Sequence, residues 1–148
     1  MFVESGVVDP KGLWRMRVLF FPHGSGVDVS GDATELVLLA LALVGGGRAA
    51  WRPPPRPSRA SAAPNWLRSR WWAPAARGVG VRVDVERRVL LIEGDRPGLT
   101  ALADDVRSMA GMDDGGHQHI EYFPGHHYLA AGSLAMVVNS PHGGMPAR

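Results

Sequence analysis

The sequence predicts an α+β fold: an antiparallel sheet with two helices packed on one face, from a partly degenerate strand-strand-helix duplication. Three observations carry that expectation. A strand, a Gly-Asp turn and a helix recur at an offset of 63 residues. Runs of period two flank both copies, as a half-buried sheet requires. Both helical stretches keep their apolar residues on one stripe, so each must cover something.

Leu13–Phe21 is the first strand candidate, and Pro22-His23-Gly24-Ser25-Gly26 turns it into a second at Val27–Ser30. Gly31-Asp32 then opens a helix, where Asp32 and Glu35 form a capping box. Leu36, Leu39, Ala40 and Leu43 share a helical face, and Gly45-Gly46-Gly47 terminates it. Residues 45–62 read as an extended linker, since prolines 53, 54, 55 and 57 cannot donate to a ladder. Asn65–Trp72 carries helical spacing in its tryptophans.

The second half repeats the pattern. Val79, Val81, Val83 and Val85 alternate with Gly80, Arg82 and Asp84, and Glu86-Arg87-Arg88 leads into Val89–Glu93. Gly94-Asp95 matches Gly31-Asp32, with Pro97 suited to a first helical turn. Leu99, Leu102, Ala103 and Val106 then fall on the positions of Leu36, Leu39, Ala40 and Leu43. After a loop at Gly111–Gly116, His117–Phe123 and Ser133–Asn139 are two further strands. The organisation expected is a first half over 1–47, a Pro/Arg/Trp-rich linker or insertion over 48–78, a second half over 79–140, and a flexible tail over 141–148.

Composition narrows the function. The 148 residues suit one core, and the absence of cysteine excludes disulfides and thiolate chemistry. Residues 1–35 hold five acids against three bases, 36–83 hold eight arginines and no acid, and 84–148 hold nine acids against five bases. The basic character therefore belongs to one segment, not to the whole molecule. The longest apolar run, Leu36–Val44, has nine residues, against roughly 20 for a membrane span. With no signal-peptide pattern either, a cytoplasmic location without membrane association is expected.

The histidine cluster is the chemistry in view. His117, His119 and Glu121 share one strand face, Ile120 and Tyr122 take the other, His126 follows a Pro-Gly turn, and Asp113 and Asp114 precede the strand. Two imidazoles and a carboxylate could ligate a divalent metal in a metal-dependent enzyme. The alternative, which we adopt, is a polar wall on the solvent side of a half-exposed sheet, with no metal, cofactor or catalytic residue assigned. There is no Gly-x-Ser-x-Gly elbow and no phosphate-cradling loop. Arg52, Arg56, Trp66, Arg68, Arg70, Trp71 and Trp72 could neutralise phosphates and stack bases, but nucleic acid is the lesser reading.

The run Leu90-Leu91-Ile92-Glu93-Gly94-Asp95-Arg96-Pro97-Gly98-Leu99, then Leu102-Ala103, Val106 and His117-Gln118-His119-Ile120-Glu121-Tyr122, resembles the immunity protein 32 domain family of bacterial polymorphic-toxin systems. The resemblance covers residues 79–140. It implies a non-enzymatic protein that binds and neutralises a cognate protein toxin. The partner-binding candidates are then Asp113, Asp114, His117, His119, Glu121 and His126, an acidic surface suited to a basic target. The sequence leaves the oligomeric state open.

Overall fold

A computed structural model of the chain describes residues 3–6, 16–21, 25–46, 48–51, 77–84, 89–112 and 115–142. Ten elements follow in order: β1 (Val3–Gly6), β2 (Arg17–Phe20), β3 (Gly26–Ser30), α1 (Ala33–Gly46), β4 (Arg48–Trp51), β5 (Val79–Asp84), β6 (Val89–Gly94), α2 (Arg96–Ala110), β7 (His117–Ile120) and β8 (Ala135–Asn139). The class is α+β, as the periodicities predict.

The helices form where the caps require them. Asp32 N–H donates to Glu35 Oε2 at 2.9 Å, and Glu35 N–H donates back to Asp32 Oδ1 at 2.8 Å. This reciprocal pair accounts for the burial of Glu35. Asp95 caps α2 by accepting from Gly98 N–H at 2.8 Å, and its other oxygen accepts from Gly78 N–H at 2.7 Å. The two backbone donors, Gly78 first, hold the Asp95 carboxyl below its ordinary pKa. The motif glycine Gly94 is needed at this junction because a Cβ there would meet Gly78 O at 2.8 Å.

The repeat is visible in the core. Leu36, Leu39, Ala40 and Leu43 of α1 are all buried, and so are their counterparts Leu99, Leu102, Ala103 and Val106 of α2. The two helices pack on each other through these matched faces. Val29 and Ile92, the matched strand residues, lie in the same cluster.

Sheet topology departs from expectation. The described residues form two sheets, one of five strands in the order β1-β2-β3-β8-β7 and one of three in the order β4-β6-β5. Within the first, β3 and β8 run parallel, with Val27 opposite Met136 and Val29 opposite Val138. No turn dictates an antiparallel pairing of strands so far apart in sequence, and all four of those side chains are buried, as central strands require. Each half also lends strands to the other. β4 follows α1 but pairs with β6, while β8 follows α2 but pairs with β3. Arg48–Trp51, read from sequence as the start of a linker, is thus a paired strand; residues 52–76 lie outside the described residues.

The face of the larger sheet away from the helices is not an open wall along its centre. Asp28, Val137 and Asn139 point that way and are buried at 2%, 6% and 1% exposure. Asn139 Nδ2 donates to Asp28 Oδ1 at 2.8 Å, to Ser30 Oγ at 3.0 Å and to Val29 O at 3.2 Å. Ser30 Oγ–H donates to the same Asp28 oxygen at 3.0 Å. Among the described residues, Asp28 Oδ2 is buried without a hydrogen-bond partner.

Candidate functional site

Strand β7 lies at one edge of the larger sheet, and β8 is its neighbour on the other side. Register sets His117 opposite Asn139 and His119 opposite Val137. Alternation then decides the surface. Ile120 is buried in the core and Tyr122 packs against it, while His117, His119 and Glu121 are exposed. The expected split of the strand into an apolar and a polar face is therefore what the fold contains. The rings of His117 and His119 approach to 5.0 Å between centroids, with planes at 70°.

The connection from β7 to β8 is tied down along its length. Gly125, at φ +88°, allows the turn that brings His126 N–H to Phe123 O at 2.9 Å. His126 does not join the exposed wall. It is half-buried, and its Nδ1 accepts from Leu129 N–H at 2.9 Å and from Tyr128 N–H at 3.2 Å. Burial first, then the neighbouring His127, lowers its pKa against the opposing pull of Asp105. A neutral ring with a free Nδ1 lone pair suits that acceptor role. Tyr128 is buried and its hydroxyl donates to Asp105 of α2. Desolvation and that bond raise its pKa.

The same loop then runs beside β5. Val79 N–H donates to Tyr128 O at 2.6 Å, Ala130 N–H to Val79 O at 2.8 Å, and Leu134 N–H to Val81 O at 2.9 Å. Ser133 Oγ accepts from Val81 N–H at 3.0 Å, so this hydroxyl serves the backbone. The loop covers the free side of β5 and joins the two sheets.

What remains outward is an imidazole and aromatic surface: His117, His119, Glu121, Phe123 at 57% exposure, and His127. Phe123 and His127 were not singled out from sequence; their place beside the Pro124-Gly125 turn was the available signal. Of the expected acidic wall, Glu121 is described, whereas Asp113 and Asp114 lie outside the described residues. Arg52, Arg56, Trp66, Arg68, Arg70, Trp71 and Trp72 lie outside them as well. Among the described residues no three His, Cys, Asp or Glu side chains are grouped so as to hold a metal ion. Among the described residues, a separate groove is lined by Leu43, Val44, Gly45, Arg96 and Leu99, of which Arg96 is the ionisable one, with no acid-base pair. No described helix is long and apolar enough to cross a membrane.

Neither the curated proteins nor the solved structures contain a match to the chain. Residues 89–141, which hold β6, α2, β7, β8 and the anchored loop, match the family model of Immunity protein 32, the family whose motifs the sequence resembles.

Proposed function

We propose that this protein is a non-enzymatic immunity protein that neutralises a cognate bacterial toxin by direct binding in the cytoplasm of the cell that makes both. The observation that carries the reading is the family match over residues 89–141, which includes the whole exposed surface of β7 and its loop. Physical features of that surface support it. An inhibitor needs a rigid frame, and here the loop is bonded to β5 and α2. It also needs side chains that can anchor a partner. Phe123, His119 and His127, all exposed, offer aromatic area, with Glu121 as a polar contact.

The test pairs the protein with each candidate toxin encoded near its gene. Co-expression should restore growth, and the two chains should co-purify. Phe123→Ala with His119→Arg should weaken the complex by about tenfold or more, as loss of interface anchors does. A circular dichroism spectrum like the parent's would establish that the double variant folds. Full protection by the double variant, with unchanged affinity, would exclude this surface. Failure to bind any neighbouring toxin would exclude the function.

A further inference from the structure

We propose that His117 and His119 form a two-imidazole surface site for a divalent late first-row cation, of the class of zinc, nickel or copper(II). The site stands independently of toxin binding. Neutral imidazole nitrogen is a preferred ligand for these ions, and a strand holds alternate side chains on one face without help from the rest of the fold.

Geometry selects this pair. A zinc ion about 2.0–2.1 Å from one nitrogen of each ring lies about 3.2 Å from each ring centroid, so a tetrahedral angle places the centroids about 5.2 Å apart. The observed separation is 5.0 Å. The ion must also lie near the plane of both rings, because each lone pair points in its ring's plane. The two rings meet edge to face at 70°, so they are not stacked in parallel, offset planes.

His126 and His127 supply the contrast. Their centroids are also 5.0 Å apart, but their planes differ by 11° and so do not converge on one point. His126 Nδ1 is in addition already engaged by two backbone N–H groups.

The site is open. Glu121 does not complete a three-ligand group with the two rings, so two coordination positions are left to water or to side chains of another molecule. Structural zinc sites are closed by four protein ligands, whereas this one exchanges its ion with solvent and does not hold the fold together. Both rings are exposed on an edge strand, so an ion reaches them without rearrangement.

The test is isothermal titration of the untagged full chain with zinc chloride and with nickel chloride. One ion per chain should bind. H117A and H119A should each weaken binding by about tenfold or more, because either change reduces a chelate to a single ligand, and H127A should leave it unchanged. Nickel should broaden the imidazole proton resonances of His117 and His119 in the parent. Absence of saturable binding overturns the proposal, as does binding that survives in the H117A/H119A double variant. A parent-like circular dichroism spectrum for each variant confirms that a loss belongs to the site.

Discussion

Replacing Asn139 with Leu tests the buried polar network of the larger sheet. The swap keeps the number and branching of side-chain heavy atoms but removes both N–H donors that reach Asp28 Oδ1, Ser30 Oγ and Val29 O. A hydrogen bond to a carboxylate contributes about 1.5–3 kcal/mol and a neutral one about 0.5–1.5 kcal/mol. Two hydrogens serve three acceptors, so the loss is one bond of each kind, or about 3 kcal/mol. For a chain of this size about 2–4 °C is lost per kcal/mol, and the melting temperature should fall by about 6–12 °C. Most of that fall comes from leaving the Asp28 carboxyl buried with Ser30 as its remaining donor among the described residues. Adding Asp28→Leu should therefore restore part of the stability. Urea denaturation of the parent, the single and the double variant measures all three. A single variant within about 0.5 kcal/mol of the parent, or a double variant no more stable than the single, would refute the reasoning.

Leu36→Ala and Leu99→Ala remove matched side chains from the packed faces of α1 and α2, each fully buried. Each should destabilise by about 2–5 kcal/mol in chemical denaturation, and a loss below about 1 kcal/mol at either would contradict the helix pairing. His126 has a lowered pKa in the fold, so the unfolded chain binds more protons in mild acid. Stability should fall as pH drops below about 6.5, and His126→Asn should flatten that slope. Tyr128, whose pKa is raised, makes stability fall as pH climbs above about 10, because there the unfolded chain releases the proton first. Alkaline titration by phenolate absorbance should show one of the two tyrosines resisting ionisation, and Tyr128→Phe should remove that fraction.

Short-range chemistry was legible in the residues, and long-range pairing was not. The capping box of Asp32 and Glu35, the Asp95 cap and the matched helix faces all follow from spacing within one turn or stripe. The alternation around Ile120 likewise separated the exposed imidazoles from the core. Strand β4 escaped because Arg48-Ala49-Ala50-Trp51 lacks β-branched residues and precedes a proline run; pairing with β6 makes it a strand. The parallel contact of β3 with β8 left no local mark, since register between distant strands is set by burial on both sides. For the same reason nothing local to Asp28, between Val27 and Val29, marks it as a residue the fold encloses. His126 looked like a member of the wall, and its capture by two backbone N–H groups depends on a turn that sequence alone does not specify.

The parallel partner of β3 is the last of the described strands, more than 100 residues further along the chain, and this has a consequence during synthesis. Until β8 leaves the ribosome, β3 has a partner in β2 but none along its other side. That bare side is rich in valine and can recruit foreign strands. Emergence of residues 135–139 closes it, so nascent chains halted before that point should be the aggregation-prone species.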